Sequence, residues 1–265
     1  MQATDPQPTP SLRQYATRKA GEARRSRPVR VAEAIKDWVV HKGLRKGDRL
    51  PGEADLIARF AMSKSTIREA MRILEAQGLI ETRTGPGGGS FVGEVSAERA
   101  RALLGNYFYF KDLSIRDIYQ IRRALEPELA ASLAGTLDAA ALADLRGLID
   151  RYPDPAVNVE QEREQHIASL EFHARLADHA KNELLGFLIG FMAQILSDLT
   201  VCRQLYNPPN AELFARGRHY QSGLVDALQD GDALRASSIM SAHMEMAQNL
   251  MEDQEAQVLK RFIAE

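Results

Sequence analysis

Between Ser65 and Val92 the chain reads STIREAMRILEAQGLIETRTGPGGGSFV, a helical run that gives way to a short apolar stretch and three glycines. Ile67, Ala70, Met71 and Leu74 repeat at i, i+3, i+4 and i+7, the spacing of one buried helical face, until Gly78 ends the helix. "LIETRT" and "GGSFV" then read as two short strands joined by Gly85-Pro86-Gly87-Gly88-Gly89. Three consecutive glycines cannot hold a helix and give up whatever packing a strand would gain. Either the chain turns there or something approaches its backbone closely.

Toward the N-terminus, Val31, Ile35, Trp38 and Val39 recur at helical spacing, with Trp38 assigned to the core, and Gly43 stops that helix. "LRKGDRLPG" reads as a loop and a short extended piece. Glu53 to Phe60 follows as a short helix presenting Leu56, Ile57 and Phe60 on one side; Ala61 and Met62 form the break, and Ser63 or Ser65 is the N-cap of the next helix. The outward side of that third helix carries Lys64, Ser65, Thr66 and Arg68, with no acid before Glu69. Free N–H groups and the helix dipole attract phosphate there, and Arg or Lys can donate to guanine O6 and N7. Two helices joined by a tight turn, the second decorated in this way, read as a helix-turn-helix. The hairpin behind it reads as a wing, slim enough at its glycine tip to lie along a groove, with Arg83 and Thr84 carried beside it.

The whole chain agrees with a nucleic-acid partner. Its 265 residues, 45% hydrophobic and 26% charged, suffice for a sizeable core and two domains. Residues 1–95 carry 17 Lys and Arg against 11 Asp and Glu, a net of +6, whereas residues 96–265 carry 17 against 25, a net of −8. A basic module on an acidic body points to an anionic partner for the first third. Residues 1–28, with four prolines and the basic run RKAGEARRSRP, read as a disordered basic arm, either a phosphate-following segment or a solubilising tail. No run of about 18 apolar residues and no export-type apolar start stand out, so the expectation is a cytoplasmic chain without a membrane partner. The single cysteine, Cys202, excludes an internal disulfide and reads as a small core residue.

From Arg49, the run RLPGEADLIARFAMSKSTIREAMRILEAQGLIETRTGPGGGSFV closely resembles the winged helix-turn-helix of the GntR family of bacterial transcription regulators. Leu50-Pro51, Glu53, Leu56, the Ser63-x-x-Thr66-Ile67-Arg68-Glu69-Ala70 run, Leu74, Gly78-Leu79 and the glycine-rich wing fall in register, and the match spans Val29 to Val92. The resemblance implies DNA contacts from Ser63, Lys64, Ser65, Thr66 and Arg68, with Thr84 and Gly85 at the wing; Arg83, carried beside them, joins the expected DNA-binding set from the reading of the wing itself. It also implies a homodimer on double-stranded DNA carrying a palindromic operator. One departure is Ala54, where the family usually has an arginine that contacts DNA; the basic arm would take over that contact.

Residues 96–265 read as all-helical, with breaks near Phe110–Ser114, Gly135–Asp138, Tyr152–Asn158, His179–Asn182, Asn207–Asn210 and Gly231, leaving about seven helical segments of an antiparallel bundle. The expected fold is mainly α, an N-terminal winged helix-turn-helix (29–95) followed by this helical effector-binding and dimerisation domain. "LSIRDIYQIRRALEPELAASLAG" and "SLEFHARLADHAKNELL" resemble the FCD effector-binding domain of the FadR-like branch.

In metal-binding members of that domain an Asp and a His four residues apart join two further histidines. Here the matching positions hold Ser169, His173, Gln221 and His243, so two ligands of four survive. Ser and Gln serve a divalent transition metal poorly, and the expectation is no certain cofactor, with a divalent metal on His173 and His243 as the other reading. His219 lies two residues before Gln221, on the opposite side of a helix, and cannot substitute. Glu162, His166, Ser169 and His173 share one helical face. His41 and His179 read as surface or cap residues.

Arg122 occupies a position where the FCD domain commonly aims a cation at its effector, with Ile118, Ile121 and Leu125 as the packed side of its helix and Arg123 as a surface cation. A buried arginine needs an anion, either a protein carboxylate such as Glu126 or a ligand carboxylate. Asn182 and Arg203 are further pocket candidates, and His173 and His243 are expected to donate to the bound anion. The sequence thus reads as a ligand-responsive regulator, a repressor released or modulated by a small carboxylate. The alternative is a DNA-binding protein whose helical domain only dimerises. No activated nucleophile pair or complete ligand set supports an enzyme.

Overall fold

The computed structural model describes residues 26–111 and 113–264. The arm read over residues 1–28 lies outside them as far as residue 25; from there the reading is corrected, because the first helix, α1 (Arg27–His41), already begins at Arg27 with Pro28 in its first turn. Proline fits that position, where a missing N–H costs no intrahelical bond. The chain divides into two compact units, one up to residue 100 and one from residue 101 on.

The first unit contains α1, α2 (Glu53–Phe60), α3 (Lys64–Ala76), β1 (Ile80–Arg83) and β2 (Gly89–Val92). Val31, Ile35, Leu56, Phe60, Ile67, Leu74, Ile80 and Val92 build one core from all five elements. Trp38 sits at the edge of that core, half-buried, with the Arg59 guanidinium 5.0 Å above its ring. Ala61 takes a left-handed conformation to end α2, and Ser63 caps α3 by accepting from the Thr66 N–H. Past α3, the Leu79 N–H returns to the Leu74 carbonyl at 2.9 Å and turns the chain into the hairpin.

β1 and β2 pair antiparallel from Ile80 opposite Val92 to Arg83 opposite Gly89. Both explanations of the triple glycine hold in this hairpin. A Cβ on Gly88 would fall 2.5 Å from the Arg83 carbonyl oxygen, so the turn closes only without one. Gly89 has φ +143°, and the Arg49 side chain lies against it where a Cβ would stand. Arg49 also donates from Nη2 to the Gly88 carbonyl at 2.7 Å, bracing the tip.

Seven helices follow: α4 (Ala97–Tyr109), α5 (Ile115–Leu133), α6 (Ala139–Asp150), α7 (Val159–Asp178), α8 (Glu183–Cys202), α9 (Ala211–Asp230) and α10 (Ala233–Ala264). Ser114, Asp138, Asn158, Asn182 and Asn210 cap five of them through side-chain oxygens, which is why the breaks were visible as polar, helix-starting residues. In the second unit α10 packs along α5, α7 along α8, and α9 against α6, α7 and α10. Ile118, Leu129, Leu145, Phe172, Leu176, Ile189, Leu228 and Met240 lie in its core.

Three expectations are corrected here. Ile121 is 48% exposed, so the packed side of α5 runs instead through Ile118, Tyr119, Arg122 and Glu126. Cys202, at the end of α8, is exposed. Helix α8 is long and apolar enough to cross a membrane by length and composition alone. Its apolarity serves the bundle, since Gly186, Ile189, Gly190, Phe191, Met192, Ala193, Leu196 and Thr200 are buried.

Candidate functional site

The first unit brings the expected DNA-facing residues together on α3 and the wing. Lys64, Ser65 and Arg68 are exposed, and the first turn of α3 holds no acid. The Ser63 hydroxyl lies 2.8 Å from Thr66 Oγ1 and 3.0 Å from Ser65 Oγ, so the three hydroxyls cluster over the helix start. An acid arrives from α2 instead: Glu53 accepts from Arg68 Nε at 2.7 Å and lies 3.3 Å from Lys64 Nζ. These two cations, the Arg68 hydrogen bond foremost, hold the Glu53 carboxyl below its usual range. Among the described residues only Nε of Arg68 is engaged, which leaves its two terminal nitrogens for an outside acceptor. Thr84 and Gly85 are exposed at the wing tip, and Arg83 lies 4.5 Å over the Phe91 ring. Arg49 and Arg72, not singled out from the sequence, line a groove with Arg68 between α2, α3 and the hairpin. Arg72 was legible as the residue one turn beyond Arg68; the approach of Arg49 required the fold.

The second unit holds a partly open cavity of about 60 Å³ among α5, α6, α7, α9 and α10. The face of α7 read from the sequence, Glu162, His166, Ser169 and His173, does line it, joined by Arg122, Gln221 and His243. Asn182 and Arg203 do not. Asn182 is exposed and spends its side-chain oxygen on the Leu184 and Leu185 N–H groups as the cap of α8. Arg203 pairs with Glu255 and donates to the Leu113 carbonyl, tying the end of α8 to α10 and to the chain before α5. Tyr119, Gln165 and Arg218 also line the cavity. Each lies three or four residues from a residue already singled out, so helical periodicity was the signal that could have found them.

A chain of polar contacts forms the floor. Arg122, 1% exposed, donates from Nε to Glu126 Oε1 at 2.5 Å. The other oxygen of Glu126 meets His173 Nδ1 at 2.5 Å, and His173 Nε2 lies 3.1 Å from His243 Nε2. Both nitrogens of His173 are thus engaged within the protein, and its expected donation to a ligand is corrected accordingly. Gln221 donates to Ser169 Oγ at 3.1 Å. Burial opposes the charge on Glu126, but Arg122 and His173 outweigh it and hold its pKa at about 2. Burial, followed by the Arg122 charge, lowers His166 to about 4. His173 is lowered by burial against the pull of Glu126, and His243 falls well below the ordinary range through burial, His173 and Arg122. The floor therefore holds one buried cation, one buried anion and neutral imidazoles, and the buried Glu162 carboxyl and Arg218 also line the cavity.

These residues make a poor transition-metal site. The two Nε2 atoms are close enough to share an ion, but Ser169 and Gln221 bond to each other in the other two positions. Among the described residues no group of three or more His, Cys, Asp or Glu side chains gathers for a metal.

Residues 28–92 match the model for bacterial regulatory proteins of the gntR family, and residues 117–246 match that for the FCD domain. The chain is 25% identical over 210 residues to the HTH-type transcriptional regulator LutR of Bacillus subtilis, covering 78% of this chain and 93% of that protein. It is 30% identical over 223 residues to RmpR of Mycobacterium gastri, covering 81% and 76% of the two chains. The solved structure of Streptococcus agalactiae GntR shares the fold, with a TM-score of 0.57 at 20% identity over 84% of this chain and 99% of that one. A recognition helix and wing of this form, followed by a helical domain of this form, place the chain in the gntR family of bacterial transcription regulators, in the branch that carries an FCD domain.

Proposed function

We propose that the protein is a homodimeric regulator that binds a palindromic operator through α3 and the wing, with repression relieved or modulated by a small carboxylate held at Arg122. Operator contacts would come from Ser63, Lys64, Ser65, Thr66, Arg68, Arg83, Thr84 and Gly85. The observation that carries the sensing half is the Arg122 guanidinium: it lies on the wall of the cavity, and its Nη2 is buried without a hydrogen-bond partner among the described residues. A domain that only dimerised would be expected to close a dry apolar core around that arginine; a cavity lined with polar groups favours sensing instead. A ligand acts by binding one arrangement of the two DNA-binding domains better than the other, and operator affinity then shifts by that difference.

The test is an operator titration at fixed salt with and without a panel of small carboxylates. Removing Arg122 alone would strand Glu126, so the paired variant Arg122→Gln with Glu126→Gln is the informative one. It is expected to bind operator as the natural protein does and to lose the carboxylate response. An unaltered response in a folded paired variant would remove Arg122 from the sensing role.

A further inference from the structure

The polar atoms of the cavity constrain its ligand more closely than the charge of Arg122 does. Five buried side-chain nitrogens or oxygens among the described residues lack a hydrogen-bond partner, and three of them, Arg122 Nη2, Gln165 Oε1 and His243 Nδ1, belong to residues lining this one cavity. Arg122, Gln165 and His243 are 1%, 7% and 4% exposed, so bulk solvent does not satisfy them. A buried polar group left unpaired is costly, and its donor or acceptor character says what it needs.

Each character follows from the groups around it. Glu126 is ionised and can only accept, so the hydrogen on His173 lies on Nδ1 and its Nε2 is a bare lone pair. The contact between His173 Nε2 and His243 Nε2 at 3.1 Å then requires the hydrogen to sit on His243 Nε2. A neutral imidazole has only one, which leaves His243 Nδ1 as an acceptor. Gln165 is fixed in the same way. Its Nε2 donates to the Asp154 carbonyl at 2.9 Å, so the atom left over is the carbonyl oxygen Oε1, also an acceptor. The three unpartnered atoms of the cavity are thus one cationic donor and two acceptors.

We infer that the ligand is a short-chain hydroxycarboxylate, whose carboxylate oxygens accept from Arg122 Nη2 and whose hydroxyl donates to His243 Nδ1 or Gln165 Oε1. This rests on the reading of the cavity as a carboxylate-sensing site and narrows it. Size agrees: about 60 Å³, at roughly 10–15 Å³ for each water-sized group, holds about four to six non-hydrogen atoms. An ammonium could also donate to the acceptors, so alanine, which carries one where lactate has its hydroxyl, is the control that separates the two. The proton assignment also separates this site from a metal centre. If both Nε2 atoms ligated an ion, the hydrogen of His243 would lie on Nδ1, and that atom would donate.

Calorimetric titration of the full-length protein with glycolate, L-lactate and D-lactate, against acetate, propionate and alanine, tests the inference. At least one hydroxy acid is expected to bind about tenfold or more tightly than its deoxy analogue, because a site built for a hydroxyl leaves buried acceptors unpaired without it. Alanine should bind no better than propionate. In His243→Phe or Gln165→Leu, whichever folds, the preference should shrink while propionate affinity remains. Carboxylates that bind equally with and without the hydroxyl would overturn the hydroxyl assignment and leave carboxylate sensing standing; no binding by any of the six would overturn both. Long-range ¹⁵N–¹H correlation on the natural protein reads His243 directly: a hydrogen on Nε2 is expected, and a hydrogen on Nδ1, or an equivalent of transition metal surviving dialysis, would sink the assignment.

Discussion

Arg122 and Glu126, one helical turn apart, are each 1% exposed, and removing either charge alone leaves the other buried and unanswered. The imidazoles beside them titrate below the usual range for histidine. A folded-state pKa below the unfolded one means that the unfolded chain binds more protons in the interval between them, so stability is complete above about pH 6.5 and declines as pH falls. For His166 the interval ends at about pH 4. Thermal unfolding followed from pH 7 to pH 4 is expected to show a falling midpoint below about pH 6.5, with up to about 1.4 kcal/mol lost per pH unit for each histidine kept neutral. Glu126, held at about 2 when folded, adds to the loss only below about pH 5, where the unfolded chain takes up its proton, so the fall between about pH 6.5 and 5 reports the histidines. A flat midpoint across that range would contradict the burial of these rings. The i, i+4 spacing of Arg122 and Glu126 was legible in the sequence. The meeting of His173 and His243, 70 residues apart, was legible only through family resemblance. Asn182 and Arg203 were misread because a polar residue at a helix end can serve a pocket or its own surroundings: Asn182 caps the backbone of α8, and Arg203 pairs with Glu255 and the Leu113 carbonyl.

Among the elements, α3 and the hairpin were the clearest in advance, since an apolar stripe, a capping serine and a turn glycine all agree there. What the sequence left hidden was cross-element traffic: Glu53 reaching from α2 to Lys64 and Arg68, and Arg49 bracing the wing. Two variants separate reading from bracing. Arg68→Ala is expected to cost about 1–3 kcal/mol of operator binding and to relax preference for a guanine, measured by titration against single-base operator variants at constant salt. Gly88→Ala puts a Cβ 2.5 Å from a carbonyl oxygen, so the tip must open. We expect it to weaken operator binding while the far-UV circular dichroism of the helices stays unchanged. Undiminished affinity would mean that the shape of the tip plays no part in DNA contact.

At the scale of the whole molecule, the division into a winged unit and a helical unit follows from a change in hydrophobic pattern that the sequence displays, and a net charge of +6 before residue 96 against −8 after it falls close to the same division. The basic run before α1 lies outside the described residues. Deleting residues 1–25, which spares α1, is expected to weaken binding to all DNA sequences alike and to flatten the salt dependence, as loss of phosphate contacts would. Identical slopes with and without the arm would make it a passive tail. Because Glu126 supplies the counter-charge to Arg122 from its own helix, the cavity keeps its electrical balance without a ligand, and on the proposed reading a departing ligand leaves behind a folded regulator. On the proposed reading each molecule can cycle repeatedly between its two states, so the rate at which the gene switches back would be set by ligand depletion and release, without waiting for new protein to be made.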